Sequence, residues 1–226
     1  MLNRVPGVEA HGELFLNRPR LTAALAGRAD YPRFLESHPT AGMRRIGLVF
    51  SYLDALYERA PTVGFKLMYS QFRQYPELFA YVANRRLRIV HLTRLNQIDV
   101  LVSEERARET GVSHIRAGSR SGPISVHLDP ATLIERLRRL NKKPAQVRAL
   151  LKFACCPALE VNYEVLLEDR GEFLRVLEFV GVAGRNPGSG SSLEKRGVMT
   201  HREAISNYEE VRRVLASTPF LDMLRE

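Results

Sequence analysis

The sequence predicts an α/β protein in which a parallel sheet is covered by helices on both faces. Two observations support this prediction. Short apolar segments of strand length alternate along the chain with longer segments that have helical periodicity. Charged and aromatic side chains lie at or just beyond the ends of the predicted strands, where open α/β sheets bind their ligands.

Four short segments rich in β-branched and apolar residues are predicted to be strands. They are residues 5–10, 62–68, 88–92 and 159–163. The segments between them are predicted to be helices, at residues 44–59, 97–109, 130–152, 164–180 and 202–216. Asp129 and Pro130 suit an N-cap and a first helical residue. Loops are predicted at residues 110–123 and 184–192, the second rich in glycine and serine.

The composition favours one class of partner but does not identify a ligand. The chain has 226 residues, 45% of them hydrophobic, and a formal net charge of +9, which favours anionic partners. The only cysteines, Cys155 and Cys156, are adjacent and too close for an ordinary disulfide. We interpret both as free, buried thiols in a reducing compartment. With no apolar signal region or membrane-length apolar run, we expect a cytoplasmic protein without a transmembrane segment.

Polar side chains at the strand ends form the candidate site. In chain order the set is His11, Glu13, Lys66, Arg94, Tyr163 and Glu164. Lys66 is the most informative member, because a lysine within a buried strand costs free energy unless its charge is satisfied. Polar residues are also common at strand ends simply because these ends meet solvent, and this alternative explains Glu164 well.

Several sequence islands, in order and spacing, resemble the sulfotransferases that use 3′-phosphoadenosine 5′-phosphosulfate (PAPS). The islands are HGELF at 11–15, VGFKLMYSQF at 63–72, VHLTRLNQIDVLVS at 90–103, LEVNYEVLL at 159–167, LEFVGV at 177–182, and LEKRG followed by ISNYEEVRRVLASTPF. They cover nearly the whole chain and are most similar to bacterial enzymes that sulfate carbohydrates and lipids. The resemblance implies one sulfotransferase-like domain, residues 1–226, with a P-loop nucleotide kinase-like fold of three layers.

The resemblance also implies a reaction, the transfer of a sulfuryl group from PAPS to a hydroxyl of a carbohydrate, lipid or small molecule, without a metal. Glu13 resembles the residue that acts as general base in several relatives, and His11 is the alternative base. Lys66 is the candidate for stabilising charge in the transition state. Glu13 equally suits the first turn of a helix.

For the cofactor, the resemblance assigns Arg94 and Ser103 to the 3′-phosphate and Tyr163 to the adenine. Arginine suits phosphate because its planar fork donates two parallel hydrogen bonds, and the start of the following helix would add backbone donors. Arg94 and Ser103 are nine residues apart here, whereas eight is common in relatives. Lys195 and Arg196 correspond to a basic loop over the 3′-phosphate. A core-packing Tyr163 and a solvated Lys195–Arg196 pair are the alternatives.

One part of the family pattern is not found. The relatives grip the 5′-phosphosulfate with an Arg-Ser-Gly-Thr or Lys-Ser-Gly-Thr loop that follows the first strand. The single Arg-Ser-Gly, residues 120–122, precedes Pro123 and follows the 3′-phosphate island, so we interpret it as unrelated. We therefore expect that the first strand and loop are absent, that the natural product starts earlier, and that this truncated form transfers no sulfate.

Two other classes of function, a kinase-like protein and a nucleic-acid-binding domain, agree less well with the sequence. A kinase-like protein would need a Walker lysine, and the sequence contains no such motif. A nucleic-acid-binding domain could use the arginines at 85–88 or the basic run at 136–143, but no aromatic residues interleave with them to stack bases. A degenerate sulfotransferase fold that binds anionic ligands without catalysis stays open, as do the acceptor and the oligomeric state.

Overall fold

The computed structural model describes residues 2–16, 30–38, 41–110, 124–182 and 199–226. It is a mixed α/β structure with small parallel sheets flanked by helices. The predicted loops at 110–123 and 184–192 fall almost entirely outside the described residues.

The strands and helices follow the predicted alternation. The strands are β1 (Val8–Glu13), β2 (Thr62–Lys66), β3 (Ile89–Thr93) and β4 (Ala158–Asn162). The helices before β3 are α1 (Tyr31–Glu36), α2 (Ala41–Tyr57), α3 (Tyr69–Gln74) and α4 (Glu77–Asn84). The later helices are α5 (Gln97–Thr110), α6 (Pro130–Phe153), α7 (Tyr163–Glu168), α8 (Arg170–Phe179), α9 (His201–Ala204) and α10 (Tyr208–Leu215).

The strands pair two by two. β1 lies parallel to β2, with Val8 opposite Thr62 and His11 opposite Phe65. β3 pairs with β4, and the contacts of His91 with Glu160 and of Thr93 with Asn162 keep one constant offset, which is the register of parallel strands. No pairing joins β2 to β3 within the described ranges, so these strands do not form the one continuous sheet that the sequence predicts.

Local sequence explains where two of the predicted helices divide. The segment predicted at 164–180 is split into α7 and α8, because the Asp169 side chain accepts a hydrogen bond from Gly171 N–H at 2.7 Å and caps a new helix. The segment predicted at 202–216 is split into α9 and α10 at Ile205, which forms a parallel bridge with Val126.

The cap predicted for α6 is confirmed. The Asp129 carboxylate accepts hydrogen bonds from Ala131 N–H at 3.0 Å and from the Thr132 hydroxyl at 2.9 Å. The hydrogen bond from Thr132, followed by that from Ala131, lowers the pKa of Asp129 below its ordinary value. Pro130 follows as the first residue of α6, where its missing N–H costs nothing.

The chain divides into two compact units, and the prediction of a single domain stays a prediction. The first contains residues 1–91, 149–161 and 165–192, and the second contains residues 92–148, 162–164 and 193–226. The first unit has an aromatic-rich core between α1, α2 and α4, including Phe15, Tyr31 and Tyr52. The second has an aliphatic core in which α5, α6 and α10 contribute residues such as Leu101, Leu137 and Val211.

Candidate functional site

Glu13 and Lys66 form an ion pair at the carboxyl ends of β1 and β2. They lie opposite each other in the register, and Lys66 Nζ is 2.6 Å from Glu13 Oε1. The Lys66 side chain is 46% exposed and that of Glu13 is 18% exposed. The expectation that Lys66 lies within a buried strand is therefore wrong, since it is the last residue of β2 and solvent reaches it. The structure does bring together the predicted base and the predicted cation.

A β-bulge in β1 separates His11 from this pair. His11 lies opposite Phe65 and Glu13 lies opposite Lys66, so Gly12 is an additional residue in β1. Successive residues of β2 point to opposite faces of the sheet, so the register places His11 and Glu13 on opposite faces. The expectation that both follow the first strand is also corrected, because both lie within β1.

His11 instead belongs to a second group of charges with Glu9 and Arg59. Its Nε2 atom is 3.1 Å from Glu9 Oε1, and Arg59 Nε is 3.2 Å from the same oxygen. The side chain of His11 is 10% exposed. This arrangement gives His11 a structural partner and makes Glu13 the better placed of the two candidate bases.

The second predicted group, in the other compact unit, is built around Arg94 and Tyr163. Arg94 directly follows β3, and Tyr163 directly follows β4. The Arg94 guanidinium carbon lies 3.9 Å from the centroid of the Tyr163 ring. Such a cation–π contact contributes about 0.5–2 kcal/mol. Across the described part of the chain, no carboxylate forms an ion pair with Arg94, so its charge is held by stacking rather than neutralised by contact.

The start of α5, predicted to offer free backbone donors to a phosphate, is already capped. The Asn96 side-chain oxygen accepts hydrogen bonds from Ile98 N–H at 2.9 Å and Asp99 N–H at 3.3 Å. Its amide nitrogen donates to the carbonyl oxygen of Met223 at 2.6 Å. An anion near Arg94 would therefore meet the guanidinium and not these two amide groups.

Asn96→Ala tests this cap. We expect the substitution to lower the free energy of unfolding by about 1 kcal/mol, the usual cost of losing an N-cap. For a chain of this size the loss corresponds to about 2–4 °C in melting temperature, measured by calorimetry. The matched control is Asn84→Ala, at the exposed end of α4, which we expect to change stability by less than about 0.5 kcal/mol. Equal melting temperatures for the two variants would contradict the assignment of the cap.

A buried histidine joins the first turn of α5 to the end of the chain. His201 Nε2 is 2.8 Å from Asp99 Oδ1, and Arg225 N–H donates to His201 Nδ1 at 2.8 Å. Arg225 also forms an ion pair with Asp99. Burial alone would raise the pKa of Asp99, but the hydrogen bond from His201 and the charges of Arg225 and Arg94 outweigh it and hold the pKa below its ordinary value. Asp99 thus places a negative charge near Arg94.

Ser103, which is predicted to bind the 3′-phosphate with Arg94, is not brought to it. Ser103 is exposed on α5, six residues from its start and hence about 9 Å along its axis. None of the contacts among the described residues joins Ser103 to Arg94. Lys195 and Arg196 lie outside the described residues. Glu164 accepts a hydrogen bond from Leu95 N–H at 3.1 Å, so this carboxylate ties the start of α7 to the segment after β3.

A cleft of about 790 Å³ in the second unit contains none of the predicted site residues. It lies between α5 and α6, and its lining includes Glu105 and Glu109 from α5 and Arg136 and Arg139 from α6. Glu105 is 5% exposed and pairs with Arg136. Because its carboxylates and cations largely neutralise each other, the cleft has no clear preference for an anion, and we place the candidate site at the strand ends.

Two general properties concern only the described residues. They contain no group of three or more His, Cys, Asp or Glu side chains arranged to hold a metal ion. Their helices include none that is long and apolar enough to span a bilayer.

Cys155 is exposed and Cys156 is partly exposed, so the expectation that both are buried is wrong for Cys155.

Sequence reasoning missed Asn96 and the His201–Asp99 contact for different reasons. Asn96 had a readable signal, because asparagine directly before a helix is a preferred N-cap. His201 and Asp99 are 102 residues apart, and no periodicity in one sequence connects such positions.

Comparisons with known proteins found no similar protein. No family model, curated protein or solved structure matches the chain.

Proposed function

We propose that the protein is a sulfotransferase, which moves a sulfuryl group from PAPS to a hydroxyl of a carbohydrate, lipid or small molecule. The observation that carries the proposal is the stacked pair of Arg94 and Tyr163 at the carboxyl ends of the paired strands β3 and β4. The finer fold assignment belongs to the same proposal: a three-layer, P-loop nucleotide kinase-like fold, in which β1–β2 and β3–β4 are two separate parallel pairs.

The residues around Arg94 fit a phosphorylated nucleoside. The guanidinium forms no ion pair with a described carboxylate, and its fork of N–H groups matches two oxygens of one phosphate. Tyr163 adds an aromatic ring suited to a purine. Asp99 opposes an anion here, but Arg225 pairs with its carboxylate and the His201 ring donates a hydrogen bond to it. We assign Arg94 to the 3′-phosphate and Tyr163 to the adenine.

Glu13 and Lys66 are the groups that we assign to the acceptor. PAPS, when bound, provides the sulfuryl group and departs as adenosine 3′,5′-bisphosphate. Glu13 accepts the proton of the attacking hydroxyl as general base. Lys66 holds Oε1 of Glu13 at 2.6 Å, so we assign the proton transfer to Oε2. The ammonium group of Lys66 stabilises negative charge that develops on the transferred oxygens.

A second candidate function is a non-catalytic protein that binds anionic ligands through the same fold. The observation that favours it is the Glu13–Lys66 ion pair itself, because a carboxylate and an ammonium group bound to each other satisfy one another without a substrate. Both functions predict binding of the nucleotide at Arg94. Only the sulfotransferase predicts transfer to an acceptor.

Calorimetric titration with three ligands tests whether the protein recognises a 3′-phosphoadenosine group. We expect adenosine 3′,5′-bisphosphate to bind about 10- to 100-fold more tightly than adenosine 5′-monophosphate, because the 3′-phosphate adds a charged hydrogen bond worth about 1.5–3 kcal/mol. Random duplex DNA is the control for the net charge of +9. Equal affinity for the two nucleotides, or tighter binding of DNA, would overturn the proposal.

A further inference from the structure

A tyrosine hydroxyl, a buried imidazole and a carboxylate form a hydrogen-bonded chain in the first unit, outside the groups described above. The Tyr69 hydroxyl oxygen lies 2.7 Å from His91 Nε2. On the other side of the ring, His91 Nδ1 lies 3.2 Å from Glu160 Oε2. The three residues come from three elements, α3, β3 and β4.

The sheet register positions the base. His91 and Glu160 are lateral neighbours in the parallel β3–β4 pair, so their side chains point to the same face. His91 is 4% exposed, whereas the Glu160 side chain is 43% exposed and Tyr69 is partly exposed. Tyr69 is the first residue of α3, which begins shortly after β2. The imidazole is thus enclosed, whereas solvent reaches part of the Tyr69 residue.

The hydrogen-bond partners determine which ring nitrogen carries the proton. An ionised carboxylate only accepts, so His91 Nδ1–H donates to Glu160. Nε2 of the neutral ring is then the acceptor, and the Tyr69 hydroxyl donates to it. A hydroxyl, a base within hydrogen-bond reach and a third group that orients the base are together the features of an activated nucleophile.

We propose that Tyr69 is a nucleophile activated by His91, with Glu160 as the positioning residue, and that it attacks electrophilic groups that carry a good leaving group, such as an activated sulfonyl group. In the step, the Tyr69 oxygen forms a bond to sulfur and the bond from sulfur to the leaving group breaks. The leaving group departs with the electron pair, and the phenolic proton moves to His91 Nε2. The Glu160 carboxylate stabilises the resulting imidazolium. The inference uses neither Arg94 nor Glu13 and does not rest on the proposed sulfotransferase activity.

The backbone around Glu160 is also held in place. Arg175 donates a hydrogen bond to the carbonyl oxygen of Glu160 at 3.2 Å and pairs with Glu172 at 2.8 Å. Glu160 therefore lies on a strand whose edge is tied to α8. This contact holds the backbone from which the Glu160 side chain reaches His91 Nδ1.

Covalent labelling of the whole protein with an aryl sulfonyl fluoride tests the proposal. The reagent transfers its sulfonyl group to a phenol and releases fluoride, and the adduct is located by peptide mass spectrometry. The chain contains 8 tyrosines, so the other seven serve as internal controls. We expect Tyr69 to be labelled about 10²-fold or more faster than Tyr163, which is also partly exposed but has no imidazole base, since general base catalysis contributes on this scale.

Two variants separate activation from simple exposure. In Glu160→Gln the half-exposed carboxylate is replaced by an amide, and we expect labelling of Tyr69 to slow severalfold while labelling of Tyr163 is unchanged. We also expect the rising limb of its pH profile to shift to lower pH, because an imidazole without the neighbouring carboxylate is a weaker base and loses its proton more readily. His91→Gln should remove the advantage of Tyr69 entirely, with circular dichroism as the check of folding. If Tyr69 reacts no faster than Tyr163, or if Glu160→Gln leaves both its rate and its pH profile unchanged, the proposal is wrong.

Discussion

Replacement of Arg94 by alanine is expected to weaken the binding of adenosine 3′,5′-bisphosphate by about 10- to 100-fold. The loss corresponds to about 1.5–3 kcal/mol, the usual contribution of a hydrogen bond to a charged group. Arg94 stacks on Tyr163 without an ion pair to a described carboxylate, so the substitution leaves no buried charge unpaired. The fold should therefore tolerate it, and isothermal titration calorimetry can measure the affinity of an intact protein.

The chain offers a matched control for Arg94. Arg202 also stacks on a tyrosine, with its guanidinium carbon 4.8 Å from the ring centroid of Tyr208, and it lies on α9 rather than at a strand end. Arg202→Ala removes the same charge and the same kind of contact, together with an ion pair to Glu209 at 3.0 Å. We expect it to leave the affinity unchanged. An equal loss in both variants would mean that net charge, not a site at Arg94, governs binding.

Glu13→Gln is expected to lower the rate of sulfuryl transfer by about 10²- to 10⁴-fold in a form of the protein that turns over PAPS. The amide keeps the shape of the side chain but cannot accept the proton of the acceptor hydroxyl. Because Lys66 is 46% exposed, breaking its ion pair with Glu13 should change stability by only about 0–1 kcal/mol. The affinity for adenosine 3′,5′-bisphosphate should remain that of the wild type.

His11→Ala is the control for the identity of the base. The register places His11 on the opposite face of β1 from Glu13, next to Glu9. We therefore expect His11→Ala to reduce the transfer rate far less than Glu13→Gln does. The reverse order, measured with labelled PAPS at saturating acceptor, would exchange the two roles.

Much of the local structure could be predicted because it depends on local sequence. Apolar segments such as residues 62–68 and 88–92 became strands, and Asp129 with Pro130 marked the start of α6. The strand predicted at residues 62–68 is too long at its C-terminal end. β2 ends at Lys66, whose side chain pairs with Glu13. The division between α7 and α8 also had a local signal in Asp169, which precedes Arg-Gly and caps α8.

The remaining features depend on contacts between distant residues. The bulge at Gly12 determines which face Glu13 occupies, and only the pairing with β2 reveals it. His91 lies within the strand predicted at residues 88–92, and its partners are 22 residues before it and 69 residues after it. The separation into two strand pairs likewise depends on which strand edges meet. Hydrophobic pattern gives the faces of a strand but not its neighbours.

A crystal structure of the protein with adenosine 3′,5′-bisphosphate tests the central claim most directly. We expect the 3′-phosphate to lie within hydrogen-bond distance, about 2.7–3.2 Å, of the Arg94 guanidinium, with the adenine against Tyr163. Binding of the nucleotide in the cleft between α5 and α6, or anywhere else with Arg94 still stacked and untouched, would contradict it.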